Sequence, residues 1–242
     1  EQKNLQKEIM RLDRLHLVGE MAANIGHEVR NPLTTVRGYL QFLHRKPELS
    51  EYVERFEIMI AEIDRANQII TEFLSLARNK LVDKQMQCLN HIISPLMPLI
   101  NTDAVKNKVF IKASLGNIPA LLLDTKEIRQ LFLNLVRNGI EAMPKGGLLI
   151  IETYLDQSEV VLKVKDNGEG IPEQVFERLG TPFISTKDQG TGLGIAVSYS
   201  IAQRHQAKVE ITSNECGTTA TIRFPIPQSQ SAGRPVSSTT KS

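Results

Sequence analysis

The chain has 242 residues, of which 41% are apolar and 23% charged, and its formal net charge is +2 at pH 7. This length and composition are typical of globular protein with material for about two domains. Basic and acidic residues are interspersed and form no basic face, which argues against nucleic acid as a partner. The two cysteines, Cys88 and Cys216, lie far apart and belong to no paired motif. They therefore favour a reducing cytoplasm over a zinc site or a disulfide framework.

The first predicted element is a long amphipathic helix over residues 3–45 that carries a histidine on its polar face. Its apolar residues recur every three or four positions, at Leu5, Ile9, Leu12, Leu15, Val18, Ala22, Ile25, Val29, Leu33, Val36, Leu40 and Leu43. His27 follows Ile25 by two positions, and a helix turns by about 100° per residue, so its imidazole is expected to face solvent. Glu28 adjoins His27, and Asn31 lies one turn further on.

His27 and Glu28 together suggest a nucleophile. A carboxylate that accepts a proton from one imidazole nitrogen leaves the other nitrogen with a lone pair for attack. The alternative is an exposed helical histidine without a chemical role.

A second long helix is predicted after a break at residues 46–50. Its apolar or small residues alternate at spacings of three and four, at Val53, Phe56, Ile60, Ile63, Ile70, Leu74 and Ala77, with Asn67 in the same register. A single polar residue in such a seam fixes register and oligomeric state. Two helices joined by a short connection form an antiparallel hairpin, which cannot cover both of its apolar stripes alone. We therefore expect a homodimer with a four-helix bundle; docking within the same chain is the alternative.

The rest of the chain predicts a second, mixed domain. The hairpin domain covers residues 1–80, a polar linker 81–90, the second domain 91–225, and a disordered tail rich in Ser, Thr, Gln and Pro 226–242. Helices are predicted at 91–100, 124–143, 173–178 and 193–205, and strands at 108–114, 120–123, 148–154, 159–166, 208–213 and 218–224. This mixture indicates an α+β multidomain protein whose second domain is a two-layer α/β sandwich.

Asn134, Asn138 and Glu141 share one flank of the helix predicted at 124–143, beside its core face. That core face comprises Ile128, Leu131, Phe132, Leu135 and Gly139. Two amides and a carboxylate at i, i+4 and i+7 can organise an octahedral Mg²⁺ that bridges to phosphates. A merely solvated helix flank is the alternative.

Asp166 ends a predicted strand and is followed closely by Gly168 and Gly170. The glycines let the backbone approach a flat heterocycle while the carboxylate accepts a hydrogen bond from an exocyclic amine. An ordinary Asp-Asn-Gly turn is the alternative.

A glycine-rich segment, residues 186–195, precedes the last predicted helix. Gly190, Gly192 and Gly194 leave backbone N–H groups free to cradle phosphate, and the helix adds its positive N-terminal end. Lys187 supplies a point charge. The glycine spacing differs from the Rossmann and Walker A patterns.

These motifs, in this order, carry a family resemblance. Residues 21–33 closely resemble the H-box of sensor histidine kinases of two-component systems and phosphorelays, and the three later motifs resemble the N-box, G1-box and G2-box of the same family. Phe176 and Phe183 fit the F-box beside a lid, which would hinge at Gly180, Gly190 and Gly192. Residues 134–144 and 196–199 look most like the sporulation kinases of endospore-forming bacteria, the B type in particular.

The resemblance implies a fold, cofactors and site residues. The second domain would have the Bergerat ATP-binding fold shared with gyrase, Hsp90-like and mismatch-repair ATPases. His27 would accept a phosphoryl group, with Glu28 as general base and Asn31 orienting the group. ATP and Mg²⁺ would be the cofactors, with Asn138 as Mg²⁺ ligand and Asp166 on the adenine amino group. The nucleotide-binding set would be Asn134, Asn138, Asp166, Gly168, Gly170, Lys187, Gly190, Gly192, Leu193, Gly194 and Thr218. Many relatives carry a lysine where this chain has Glu141, so the phosphate contact of that position is not carried over.

The resemblance also implies partners. Phosphohistidine would pass its group to an aspartate of a response-regulator receiver domain docked on the hairpin, where a small inhibitor protein would also bind. Because the chain starts inside a helix without an initiator Met, we expect it to be the cytoplasmic portion of a longer protein, anchored in the membrane through an upstream sensor. Two alternatives remain: an ATPase or serine kinase of the same fold, and a dimeric scaffold gated by nucleotide without phosphotransfer.

Overall fold

The computed structural model describes residues 28–77, 82–184 and 191–227. Helix α1 occupies residues 28–44 of this range, and α2 occupies Val53–Ala77. Between them lies a 3₁₀ helix, Pro47–Tyr52, with a proline at its start and a non-helical Leu49. The predicted break therefore lies where expected, because proline cannot donate the backbone hydrogen bond that would continue α1. No helix in the described ranges combines the length and apolar character needed to span a bilayer.

Polar contacts set the register of the α1–α2 hairpin. Arg37 donates two hydrogen bonds to the Asp64 carboxylate, at 2.6 and 3.1 Å. About two turns closer to the start of α1, Arg30 Nη2 donates to Thr71 Oγ1 at 3.1 Å. Large apolar side chains nevertheless remain exposed on the hairpin, at Val29, Val36, Tyr39, Phe42, Ile58 and Met59. The hairpin thus leaves an apolar face uncovered, as the sequence pattern predicts.

The second domain contains seven strands and five helices in the described ranges. The strands are β1 Gln85–Gln87, β2 Val109–Leu115, β3 Leu121–Leu123, β4 Gly147–Asp156, β5 Glu159–Asp166, β6 Lys208–Asn214 and β7 Gly217–Pro225; the helices are α3 Leu89–Ile93, α4 Met97–Lys106, α5 Thr125–Glu141, α6 Glu173–Phe176 and α7 Gly194–Arg204. Five strands form one sheet in the order β2-β4-β5-β7-β6, in which only the β2–β4 pair is parallel. Strands β1 and β3 form a separate antiparallel pair.

The core of the second domain lies between the five-stranded sheet and helices α5 and α7. Alternate residues of the central strands are buried, including Leu149, Ile151, Leu162, Val164, Ile222 and Phe224. They meet the apolar face of α5 (Ile128, Leu131, Phe132 and Leu135) and that of α7 (Ala196, Val197 and Ile201). Each fully buried leucine, isoleucine or phenylalanine contributes roughly 1.5–3 kcal/mol. The two-layer α/β sandwich is thus confirmed, with the polar flank of α5 left at the edge of the core.

Two segments of the second domain differ from the sequence prediction. Residues 85–87, predicted as linker, pair with Leu121–Leu123, and α3 begins at Leu89. Glutamines give no apolar alternation, so a strand held mainly by main-chain hydrogen bonds was not visible. The single helix predicted at 91–100 is instead α3, a short 3₁₀ turn at Ser94–Leu96, and α4, which continues to Lys106. A proline stands at the start of the 3₁₀ turn and of α4, the position where its missing N–H costs least.

Asp124 holds the N-terminus of α5 and joins it to the chain that arrives from the hairpin. Its Oδ1 accepts the backbone N–H groups of Lys126 and Glu127 at 2.9 and 3.1 Å, a side-chain N-cap. Its Oδ2 accepts the N–H of Asp83 at 3.2 Å. The predicted start of this helix is confirmed, and Asp124 fixes the helix that carries Asn134 and Asn138.

Candidate functional site

A cavity of about 630 Å³ opens at the edge of the second domain's core. Its lining brings together most of the predicted site residues that the structure describes: Asn134, Asn138, Asp166, Gly170, Gly192, Gly194 and Thr218. Glu141 lines it as well. Gly168 and Leu193 are not part of the lining, and Lys187 and Gly190 lie outside the described residues. Four segments distant in sequence therefore converge on one cleft of the size that takes small ligands.

Asp166 lines the cavity and is only 6% exposed. Its Oδ1 accepts the backbone N–H of Gly168 at 2.9 Å and that of Thr218 at 3.1 Å. A side chain at Gly217 would run into the backbone oxygen of Asp166, so glycine there lets β7 come this close. The carboxylate is thus held in one orientation by main-chain donors. A fixed acceptor in an apolar cleft suits recognition of a flat ring with an amino group.

Gly168 and Gly170 allow close backbone packing around Asp166. A side chain at Gly168 would meet the carbonyl of Ala142 at the end of α5. Gly170 has φ +74°, and a side chain there would meet the carbonyl of Asn214. Gly168 therefore acts through packing rather than by lining the cavity.

Ser213 supports this end of the cavity and was not found by sequence reasoning. Its hydroxyl accepts the N–H of Ile171 at 2.8 Å and shares a hydrogen bond of 2.9 Å with the Thr218 hydroxyl. It therefore orients the Thr218 side chain beside Asp166. A serine in a strand pairing has no distinctive sequence signal, because only the register of β6 with β7 places it opposite Thr218.

The flank of α5 forms one wall. Asn134 Nδ2 donates to the backbone oxygen of Gly194 at 3.2 Å, which ties α5 to the first residue of α7. The Nδ2 atom of Asn138 is buried and makes no hydrogen bond within the described residues. A buried amide left without a partner costs about 1–3 kcal/mol. Such an amide is typical of a group that a ligand completes.

The start of α7 forms the adjoining wall. Gly192 has φ +66°, and a side chain there would clash with the backbone of Phe183 and Ile184. Leu193 follows with its side chain fully buried in the core, so it anchors the turn and does not line the cavity. Thr191 lines the cavity, and its hydroxyl accepts the N–H of Leu193 at 3.3 Å. The positive end of an 11-residue helix therefore faces the cavity, which favours an anion there.

Helix α2 of the hairpin completes the cavity. Arg65, Gln68 and Glu72 line it, and Glu72 Oε2 accepts a hydrogen bond of 3.0 Å from the Thr191 hydroxyl. The ring of Phe73 lies 5.6 Å from that of Phe183. Sequence reasoning missed these residues, although Arg65, Gln68 and Glu72 recur at helical spacing on one face of α2.

The predicted catalytic group lies at the start of the described hairpin. Glu28 and Asn31 are both exposed on α1. His27 falls just outside the described residues. Arg30 lies between Glu28 and Asn31 in the sequence and donates a hydrogen bond to Thr71. Thr71 is the residue next to Glu72 on α2. The α2 wall of the cavity is therefore level with the segment of α1 that carries Glu28 and Asn31.

Two family models match consecutive parts of the chain. Residues 17–81 match the His Kinase A (phospho-acceptor) domain. Residues 123–228 match the histidine kinase-, DNA gyrase B-, and HSP90-like ATPase. The chain belongs to the sensor histidine kinases. The cavity is thus in the ATPase part of a histidine kinase, and α2 belongs to its phospho-acceptor part.

The curated relatives include sporulation kinases of Bacillus subtilis. This histidine kinase is 37% identical to sporulation kinase E over 231 residues, covering 94% of this chain and 31% of that protein. It is 34% identical to sporulation kinase B over 227 residues, covering 91% and 53%. The predicted likeness to the sporulation kinases is confirmed, and kinase B does not stand apart from the others. The chain spans about a third to a half of the length of these relatives.

Solved histidine kinases share the fold. Full-length ShkA in complex with AMPPNP matches with TM-score 0.74 at 20% identity, covering 86% of this chain and 46% of that one. Histidine kinase ThkA in complex with response regulator protein TrrA matches with TM-score 0.62 at 27% identity, covering 92% and 66%. The predicted combination of helical hairpin and Bergerat-type domain is therefore confirmed.

Proposed function

We propose that this histidine kinase transfers the γ-phosphoryl group of ATP to His27 and passes it to an aspartate of a receiver domain in a sporulation-type phosphorelay. The observation that carries the proposal is the cavity at the junction of the two domains. It combines a buried acceptor, a helix N-terminus and a wall from the phospho-acceptor hairpin. The names of the curated relatives support the sporulation setting. The hairpin disfavours an ATPase or serine kinase of the same fold, since those relatives lack it.

ATP would bind along the cavity with its base at Asp166 and its phosphates at α7. Asp166 would accept from the adenine amino group, and Thr218 would assist from β7. The triphosphate would lie against Gly192 and Gly194, where the helix dipole and backbone N–H groups favour negative charge. Lys187 and Gly190 are proposed for the same end. Ser213 is added to this set as the residue that orients Thr218.

The residues present fit a Mg²⁺ ion that accompanies the phosphates. The described residues contain no group of three or more His, Cys, Asp or Glu that could hold a metal ion by itself. Mg²⁺ commonly takes only one or two protein ligands and completes its shell with phosphate oxygens and water. Asn134, Asn138 and Glu141 on one flank of α5 would hold it or its waters through their side-chain oxygens, because Mg²⁺ binds oxygen ligands. Bound there, the ion would neutralise phosphate charge.

At the hairpin, the chain's own residues would carry out the transfer. Glu28 would accept the proton from one imidazole nitrogen of His27 while the other nitrogen attacks the γ-phosphorus. A nitrogen–phosphorus bond forms, the bond to the bridging oxygen breaks, and ADP leaves. Asn31 would orient the transferred group. The work is mainly positioning, in which the catalytic domain would bring the γ-phosphate to His27.

The exposed face of the hairpin supports the proposed partners. An open groove of about 410 Å³ lies on α1, lined by Thr34, Thr35, Gly38, Tyr39 and Phe42. We assign this groove to the receiver domain, and the inhibitor protein would compete for it. The ThkA complex with a response regulator supports the same class of partner. The remaining exposed apolar residues of the hairpin support a homodimer.

Incubation with ATP labelled on the γ-phosphate tests the activity. The wild-type chain should retain label and transfer it to a matching receiver domain from a panel. His27→Ala should retain none while binding ATP normally, and His44→Ala, at the end of α1, should behave as wild type. Label that persists in His27→Ala would refute the assignment. Nucleotide binding with no label in the wild type would favour the scaffold alternative.

Titration of ATP with and without Mg²⁺ tests the metal assignment. Asn138→Ala should lose the gain in ATP affinity that Mg²⁺ gives, while affinity without the metal changes little. Asn101→Ala, an exposed asparagine on α4, is the control. An unchanged Mg²⁺ effect in Asn138→Ala would count against its role.

A further inference from the structure

Helix α2 places a carboxylate inside the nucleotide cavity. Glu72 Oε2 accepts the hydrogen bond of the Thr191 hydroxyl at 3.0 Å, and Gln68 Nε2 donates to Glu72 Oε1 at 2.9 Å. Both oxygens are therefore held, and all three residues line the cavity. This arrangement is an unusual lining for a site that has to take a triphosphate, because like charges at close range repel each other.

The carboxylate lies at the end of the cavity that suits phosphate. Thr191 immediately precedes Gly192, and its hydroxyl accepts the N–H of Leu193, just before α7 begins. Backbone donors and the positive end of α7 meet at this point. Glu72 therefore occupies surroundings that favour an anion, and it does so from the other domain.

A second contact holds α2 against the same segment. Phe73, the next residue of α2, packs its ring 5.6 Å from that of Phe183, at an angle of 39°. Phe183 precedes the glycine-rich segment, and Thr191 lies within it. Two adjacent residues of α2 thus contact the chain at two points ahead of α7.

We propose that the Glu72 carboxylate occupies the phosphate end of the cavity until ATP displaces it. The inference rests on the proposed function and adds a regulatory step. While Glu72 bonds to Thr191, the catalytic domain stays on α2. Entry of the triphosphate repels Glu72 and competes for the N-terminus of α7, which weakens the hold of α2. Nucleotide binding thereby releases the domain to move towards His27.

The affinity for Mg²⁺·ATP of charge-neutral variants tests this competition. Glu72→Gln keeps the size of the side chain and one of its two acceptor oxygens but removes its charge, so it should bind ATP roughly three- to fivefold more tightly. The gain should shrink at high salt because screening weakens the repulsion. It should also shrink in a Thr191→Val background, since the two residues act as a pair. Glu54→Gln, an exposed residue of α2, should leave the affinity unchanged. Equal or weaker binding by Glu72→Gln would overturn the proposal.

Fluorescence provides a readout of the release itself. The chain has no tryptophan, so Phe73→Trp places a single indole against Phe183. Its emission should shift to longer wavelength when ATP binds, because the ring becomes exposed to water. With Glu72→Gln added, the shift should need less ATP. Emission that stays constant through ATP saturation would contradict release of α2.

Autophosphorylation of the same preparations separates the two proposals. If wild type labels His27 but Glu72→Gln binds ATP with unchanged affinity, the proposed role of Glu72 is wrong and the kinase function still holds. A wild-type chain that binds ATP without labelling His27 would remove the kinase function whatever Glu72→Gln does.

Discussion

His205 Nε2 accepts the backbone N–H of Asp124 across a distance of 3.0 Å. The other ring nitrogen of His205 lies 2.9 Å from the backbone oxygen of Ile201, to which it donates, so the buried ring is held in its neutral form. Asp124 in turn caps α5 and accepts the N–H of Asp83. One histidine therefore ties the end of α7, the start of α5 and the segment from the hairpin together. The two helices that frame the cavity depend on this junction.

The junction predicts a pH dependence of stability. Burial lowers the pKa of His205 below its ordinary 6.5, and the nearby Lys84 charge also lowers it. The hydrogen bond to the Ile201 carbonyl and the Glu127 and Asp124 carboxylates raise this pKa, but burial outweighs them. The unfolded chain then binds a proton more readily than the native chain. The free energy of unfolding should therefore fall as the pH drops below 6.5, by at most about 1.4 kcal/mol per pH unit from this group.

Urea unfolding at pH 7.5, 6.5 and 5.5 measures this effect. His205→Gln keeps an acceptor for the Asp124 N–H but does not titrate, so its stability should vary less over this range. His91→Gln, an exposed histidine of α3, should keep the wild-type slope. If the free energy of unfolding changed equally with pH in wild type and His205→Gln, protonation of His205 would not be what destabilises this junction.

The backbone conformation and close packing of Gly170, beside the nucleotide pocket, predict that any side chain at this position lowers the stability of the protein. Its φ of +74° and its proximity to the Asn214 carbonyl leave no room for a methyl group. Gly170→Ala should lower the free energy of unfolding by about 2 kcal/mol or more. Gly38→Ala is the matched control, because the added methyl group meets nothing within 4 Å. In helix α1 it should stabilise by up to about 1 kcal/mol. Thermal unfolding that gives both variants the same change would contradict the packing argument.

The orientation of Asp166 predicts base selectivity. Asp166→Asn can still accept the N–H groups of Gly168 and Thr218 through its oxygen, which turns an amide donor towards the base. Affinity for ATP should fall by at least about tenfold, since the adenine amino group would then face a donor. Affinity for inosine triphosphate, which presents an oxygen at that position, should fall less or rise. Competition binding with the two nucleotides measures the ratio, and an unchanged ratio would exclude Asp166 from contact with the base.

Local periodicity predicted much of the site. The core and polar faces of α5 follow from helical spacing alone, so Asn134 and Asn138 were expected on one flank, and the structure places both on the cavity. Asp166 was expected at a strand end beside glycines, where the backbone has to turn sharply. These features depend on short-range geometry, which the order of residues determines directly.

Contacts between distant segments could not be predicted in the same way. Ser213 meets Thr218 because of the β6–β7 register, and Glu72 meets Thr191 because α2 packs beside α7. Nothing near Glu72 in the sequence distinguishes it from the other charged residues of α2. Strand β1 was missed for a related reason, since its partner is 34 residues away along the chain in the pair Gln87–Leu121 and further away in the other two pairs. Tertiary packing, rather than local preference, created these contacts.

The chemical identity of the phosphorylated residue tests the central claim most directly. After reaction with ATP, the chain should carry phosphate on the peptide that contains His27, and this phosphate should be lost in acid but survive alkali. Mass spectrometry of peptides prepared under alkaline conditions, with a parallel acid-treated sample, makes the measurement. An acid-stable phosphate on a serine or threonine, or release of inorganic phosphate with none retained on His27, would contradict the account.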